Sequence, residues 1–198
     1  MRLSSRSEDT AHAIFDWVID NVDYRKTGAG WGNGDTHWAC LARYGNCTDF
    51  HALFISLART EGVPARFDMG FPISEATRSG VVAGYHCWVE VWLDEVGWMP
   101  IDASEASKQP GDRDRFYGAQ PADRVRFSTG RDLRLGRDHA GPRLNYFIAP
   151  YVEVGGQAYD GPVDLRVRFE ELHGTPDSST REGAAPSLPP SADDGEGS

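Results

Sequence analysis

The chain has 198 residues and a mass of 21.8 kDa, enough for one medium domain with an appendage. A hydrophobic fraction of 39% with six Trp marks a folded chain, and 22 Gly with 12 Pro mark one rich in turns. Against 20 Lys and Arg stand 30 Asp and Glu, and the net charge of -10 argues against a nucleic-acid partner.

No apolar run approaches the roughly 20 residues of a membrane span, and the stretch from Met1 to Asp9 lacks the apolar segment of a secretory signal. The expected location is cytoplasmic, with no membrane partner. Cys40, Cys47 and Cys87 are an odd set, so a fully paired disulfide framework is excluded.

From the N-terminus, Ala11, Ile14, Phe15, Val18 and Val22 recur at helical spacing over Glu8 to Val22, with Ser7 available as a cap. Gly28 to Gly34 form a glycine-rich loop. Neither a preceding strand nor a following Gly-Lys-Ser/Thr is evident, so nucleotide binding is disfavoured. A second helix beginning near Asn46 or Cys47 carries the stripe Phe50, Leu53, Phe54, Leu57 and Ala58 and stops at Gly62 and Pro64.

The period then changes to two. Ala65, Phe67, Met69 and Phe71 alternate with Arg66, Asp68 and Gly70, which predicts a half-buried strand. Tyr85 to Leu93, a turn at Asp94 to Gly97 and Trp98 to Asp102 predict a hairpin. Tyr146 to Val154, Gly155-Gly156 and Leu165 to Leu172 predict another, with Leu165, Val167 and Phe169 on one face. Helices first and antiparallel strands after them give an α+β class. Residues 1–173 form the expected domain. Residues 174–198, with four Pro, four Gly and five Ser, read as a disordered acidic tail.

Cys47 opens the second helix, where unpaired amides and the positive dipole end favour a thiolate. His86 and Asp102 stand eight residues either side of Asp94 in the proposed turn, so an ideal hairpin makes them directly opposed neighbours on one sheet face. A bulge would break that parity. Thiol, imidazole and carboxylate so arranged are what nucleophilic attack on an acyl group requires.

These stretches resemble a known family. Gly45-Asn46-Cys47-Thr48-Asp49-Phe50-His51, followed by Leu57-Ala58-Arg59 and Gly62-Val63-Pro64-Ala65-Arg66, is similar to the nucleophile helix and following strand of the transglutaminase-like superfamily. Gly84 to Val91 and Gly97 to Ser104 resemble its histidine and aspartate strands. The likeness extends to Tyr24 to Asp35, and to Phe116 to Glu153 with Gly130-Arg131-Asp132 and Asn145-Tyr146-Phe147.

The resemblance implies a papain-like α+β core with a nucleophile helix packed on an antiparallel sheet. It implies Cys47 as nucleophile, His86 as general base and acid, and Asp102 as orienter. The reaction would be hydrolysis or acyl transfer at an amide bond through a thioester. The expected partner is a protein or peptide acyl donor, with an amine as a possible acceptor, and neither metal nor organic cofactor is expected. The alternative is a catalytically silent binding or scaffolding protein of the same fold.

Other residues carry weaker signals. His37 with Cys40 and Cys47 with His51 have spacings that could hold zinc, but zinc would consume the proposed nucleophile. Cys87 alternates with His86 and is expected in the core beside Tyr85 and Val89. Trp88 and Trp92 are expected on the His86 side. Arg124, Arg126, Arg131 and Asp132 are expected mainly in structural ion pairs. The Cys47 amide is the expected oxyanion donor, and the indoles of Trp31 and Trp38 are candidates for a second.

Overall fold

The computed structural model describes residues 6–74 and 76–172. The proposed tail, 174–198, lies outside them. Helix α1 (Arg6–Asn21) is followed by β1 (Asp23–Tyr24), α2 (Thr36–Ala42), β2 (Tyr44–Gly45) and α3 (Cys47–Thr60). Then come β3 (Ala65–Pro72), β4 (Ser79–Val81), β5 (His86–Leu93), β6 (Gly97–Ile101) and α4 (Ala103–Lys108). A 3-10 turn, Pro110–Phe116, leads to β7 (Arg124–Thr129), β8 (Glu153–Val154), β9 (Gln157–Ala158) and β10 (Arg168–Glu170).

The main sheet has the order β6-β5-β3-β7, antiparallel throughout. Along β3 and β5, the register pairs Ala65 with Val91, Phe67 with Val89 and Met69 with Cys87. That face is buried against Phe50, Leu53 and Phe54 of α3 and Phe15 and Val18 of α1. Each large side chain so enclosed contributes about 2 kcal/mol. The class is α+β, helices packed on an antiparallel sheet.

Several expectations are corrected. Ser7 lies inside α1, which already includes Arg6, so it is not the cap. The β3 strand is buried on both faces for most of its length: Asp68 is fully enclosed, its carboxylate accepting from Thr129 Oγ1 at 2.5 Å and from Arg126 at 3.3 Å. Its far end, Phe71, is partly exposed instead. The pairing of β3 with β7 shifts at Met69/Gly70. There a Cβ on Gly70 would sit 2.0 Å from the Val125 carbonyl oxygen, so only glycine admits the neighbouring strand.

The second hairpin is shorter than expected. Gly155 and Gly156 turn β8 onto β9, while β10 pairs with β4. Leu165 is exposed and lies before β10, so Leu165, Val167 and Phe169 do not form one strand face. A two-residue strand, β1, does precede the glycine-rich loop and pairs in parallel with β2. Among the described residues no helix is long and apolar enough to cross a membrane.

Candidate active site

The site begins with the way α3 starts. Asn46 adopts extended dihedrals as N-cap and accepts from Thr48 N at 2.9 Å, while Asp49 accepts from Asn46 N at 3.0 Å. The Asp49 carboxylate also takes Gly32 N at 2.6 Å and Gly34 N at 3.0 Å. The glycine-rich loop therefore cradles an anion, but the anion is the chain's own buried carboxylate. This clamp is local in its cause: Asn at the cap and Asp three residues on is a capping-box spacing. It fixes Cys47, 3% exposed, at the positive end of the helix.

His86 opens β5 and is also buried. Its Nε2 lies 2.6 Å from Asp102 Oδ2. That contact is diagonal, since Val89 pairs with Ile101 and Leu93 with Gly97, which centres the turn on Glu95 and not on Asp94. The displacement is two residues in register, so the parity of the predicted pair survives while direct opposition does not. Asp102 stands just past β6 as the N-cap of α4, its Oδ1 accepting from Glu105 N at 2.9 Å and Ser104 Oγ at 3.0 Å. With Nε2 engaged, Nδ1 is the nitrogen left for chemistry; Glu105 Oε1 lies 3.9 Å from it.

Electrostatics favour charge separation. The Cys87 thiol beside Cys47 is the largest influence holding its thiol well below the ordinary value; burial opposes this, and His86 and His51 add to it. Burial disfavours a charged His86, but Asp102 and the Cys47 sulfur outweigh it and push the imidazole up to about 10. Burial likewise opposes ionisation of Asp102, and His86 and His51 override it, keeping the carboxyl well below the usual range. The preferred state is thiolate, imidazolium and carboxylate. Tyr24 and Tyr85 flank it, their phenols raised by burial first and also by the Cys47 charge. The Tyr85 ring lies tilted against Tyr146, ring centres 5.7 Å apart.

The structure thus brings Cys47, His86 and Asp102 into one buried cluster. Two further residues adjoin it. Cys87 does face the core with Val89, but its sulfur lies 3.4 Å from His51 Nδ1 and 4.0 Å from Thr48 Oγ1. Tyr85, expected beside it, is partly exposed. His51, fully buried, reaches Asp102 Oδ1 with Nε2 at 3.4 Å. His37 and Cys40 lie apart on α2, and among the described residues no group of three or more His, Cys, Asp or Glu is placed to hold a metal. Arg126 pairs with Asp68 and Glu90, and Arg131 holds the carbonyls of Asn33 and Gly34. Trp88 is buried with its ring 6.3 Å from His86, whereas Trp92 packs on Trp98 at the surface. Trp38 packs edge-on against Tyr44.

The sequence model of the transglutaminase-like superfamily matches residues 2–103, just over half the chain and the part that holds Cys47, His51, His86, Cys87 and Asp102. The chain belongs to the transglutaminase-like superfamily. An uncharacterized Haemophilus influenzae protein is 29% identical over 178 residues, covering 74% of this chain and 48% of its own. The uncharacterized protein YebA of Bacillus subtilis is 29% identical over 77 residues, 34% of this chain and 10% of its own. The chain spans about half the length of the first and a tenth of the second. Among solved structures, a candidate cysteine protease from Cytophaga hutchinsonii is 24% identical with a TM-score of 0.46, covering 65% of this chain and 37% of its own. The periplasmic domain of TgpA from Pseudomonas aeruginosa is 21% identical with a TM-score of 0.39, covering 57% and 41%.

Proposed function

We propose that the protein is a cysteine-nucleophile enzyme acting on amide bonds, with Cys47 as nucleophile, His86 as proton carrier and Asp102 as orienter. The observation that carries this reading is the hydrogen bond that His86 Nε2–H donates to Asp102 Oδ2, which leaves His86 Nδ1 for the buried Cys47 sulfur at a helix N-terminus. The Cys47 thiolate attacks the carbonyl carbon of the substrate, and the electron pair of the C=O moves onto oxygen. The Cys47 backbone amide is the oxyanion donor in this scheme. As the C–N bond breaks, His86 passes its proton to the leaving amine, and a thioester remains on Cys47.

The thioester is resolved by water or by a second amine, His86 removing the attacking proton as the C–S bond breaks and the thiolate returns. Hydrolysis is the favoured outcome because water needs no acceptor pocket. The proposed substrate is a protein or peptide amide, and cytoplasmic location is part of the same proposal.

A peptide library incubated with the enzyme and quenched in acid tests it. Intact-mass analysis is expected to show an acyl adduct on Cys47 that hydroxylamine converts to a hydroxamate. The adduct is absent from Cys47→Ala. Free amines added during turnover separate the two outcomes, since a transamidating enzyme yields the substituted amide and a hydrolase only the acid. No adduct with any peptide, together with an unreactive Cys47, favours a silent scaffold.

A further inference from the structure

The chain as a whole is acidic, with a net charge of -10, yet one cavity of about 830 Å³ is basic. Its wall carries four arginines, Arg59, Arg66, Arg131 and Arg143, against one acid, Asp132. The cavity runs along the stripe of α3 that holds Ala52, Ile55 and Arg59. It also faces the start of β3, where pairing with β7 has given way to the Gly130 turn, Gly130 N donating to Phe67 O at 2.7 Å. Cys47, His86 and Asp102 do not line it, and Arg59 sits about 18 Å along the α3 axis from Cys47 at the helical rise.

The bland reading gives these arginines structural duty, and for two of them it suffices. Arg66 donates Nε to Glu90 Oε2 at 2.6 Å, and Arg143 lies 3.7 Å from Asp132 Oδ2. Arg59 and Arg131 differ. Arg59 spends Nε at 3.0 Å and Nη2 at 2.7 Å on one carbonyl, that of Ala65, and its Nη1 has no partner among the described residues. Arg131 donates Nη1 to Gly34 O at 2.7 Å, Nη2 to Asn33 O at 2.8 Å and Nε to Asn145 Oδ1 at 3.0 Å. All of these acceptors are neutral, and among the described residues neither guanidinium has a carboxylate partner. A carbonyl orients a guanidinium without neutralising it. Arg131 is also half-buried, and burial pulls it below its ordinary value. Two uncompensated positive charges in one concave wall are a standing attraction for an anion.

We propose that this cavity binds a small organic anion carrying phosphate or carboxylate groups, with Arg59 and Arg131 as its charge partners and Ala52, Ile55 and Phe67 against its carbon skeleton. Guanidinium groups suit both kinds of anion because they offer paired N–H donors to two oxygens. Arg131 also ties the cavity to the glycine-rich loop. Gly34, whose carbonyl it holds, gives its own N–H to Asp49 Oδ1 at 3.0 Å. An anion against Arg131 therefore steadies that loop. The site is separate from the proposed nucleophile and does not depend on the reading of Cys47.

Calorimetric titration with pyrophosphate and, separately, with citrate, at matched ionic strength, tests the proposal. At least one probe is expected to bind saturably with a Kd below about 1 mM, pyrophosphate where phosphate is the preferred group and citrate where carboxylate is. Arg59→Gln, a change on an exposed side chain, is expected to weaken binding about tenfold, the effect of one hydrogen bond between charged groups. Arg131→Gln is expected to do as much. Where Arg131→Gln does not fold, Arg143→Gln, also on an exposed side chain, removes a second positive charge in its place. Arg115→Gln, exposed on the 3-10 turn and outside the cavity wall, is expected to bind like the wild type, and so is Cys47→Ala. Bound probe is expected to raise hydrogen-exchange protection over Gly28 to Gly34. A folded wild type that binds neither probe overturns the inference. So does binding that Arg59→Gln leaves unchanged, or that Arg115→Gln weakens equally. Each of these results leaves the nucleophile reading untouched.

Discussion

His86 and Asp102 are joined at 2.6 Å across the end of the β5–β6 hairpin, with Asp102 already serving as the first residue beyond the strand. One oxygen binds the imidazole and the other caps α4, so a single carboxylate couples His86 to the helix that follows. Asp102→Asn separates the two roles, because an asparagine still accepts at an N-cap but carries no charge. The variant is expected to fold with a loss of about 3 kcal/mol, as when one partner of a buried ion pair is removed. Labelling of Cys47 at about pH 6 is expected to drop tenfold or more, roughly, as the imidazolium loses its counter-charge. Denaturant titration and labelling of the same sample check both; unchanged labelling in a folded variant contradicts the role given to Asp102.

The proposed Cys47–His86 ion pair predicts the shape of stability against pH. Where folded Cys47 is already a thiolate and the pH is below about 6.5, the ordinary histidine value, the unfolded chain holds protons on both Cys47 and His86 while the folded chain holds one, so stability rises with pH. Between 6.5 and the ordinary thiol value of 9.0 each state holds one proton and the contribution is flat. Above 9.0 the unfolded chain holds none, and stability falls as pH approaches about 10, where folded His86 deprotonates. Cys47→Ala removes the thiol from the count and leaves the raised His86 alone, so its stability declines from about 6.5 upward. Denaturation midpoints across this range measure the two curves. A Cys47→Ala curve that stays flat between 6.5 and 9.0 contradicts the pairing.

Most of the fold that positions the site was legible because local chemistry determines it. The α3 start follows from Asn46 and the apolar stripe, and β5 from its apolar run ending at a turn. The order of Cys47, His86 and Asp102 was legible for the same reason. What escaped was set by contacts distant in sequence. The turn centre at Glu95 depends on β5 and β6 packing, which moved the register by two. Asp68 looked like the polar side of a half-exposed strand, yet β7 and Thr129 cover it. Cys87 and His51, 36 residues apart, give no local signal of their contact. The purpose of the glycine loop was readable in principle, since Asp49 occupies the capping-box position, but its grip on Gly32 and Gly34 required the folded chain.

Asp49 is therefore expected to matter more than a helix-cap residue alone. Three backbone N–H groups converge on it, and Asp49→Ala leaves all three buried or half-buried without an acceptor. A loss of about 3 kcal/mol is expected in denaturant unfolding. The Gly28 to Gly34 loop is expected to lose protection in hydrogen exchange at the same time. A loss below about 1 kcal/mol, the size of an ordinary cap, is the result that argues against the clamp.

Gly70→Ala tests the close approach of β7. The added methyl meets the Val125 carbonyl and the Trp88 ring, so a loss of about 2 kcal/mol or more is expected, by overpacking. Exchange protection is expected to weaken over β7 before β5. A neutral Gly70→Ala shows that the two strands sit farther apart than this.

The central claim, that Cys47 and His86 form a reactive ion pair, is tested most directly by the pH dependence of Cys47 alkylation in the wild type and in His86→Ala. The account predicts a wild-type thiol that reacts well below the ordinary thiol value of 9.0 and loses that acid-side reactivity in His86→Ala. A Cys47 that titrates like a free thiol, or that stays inert in both proteins, contradicts it.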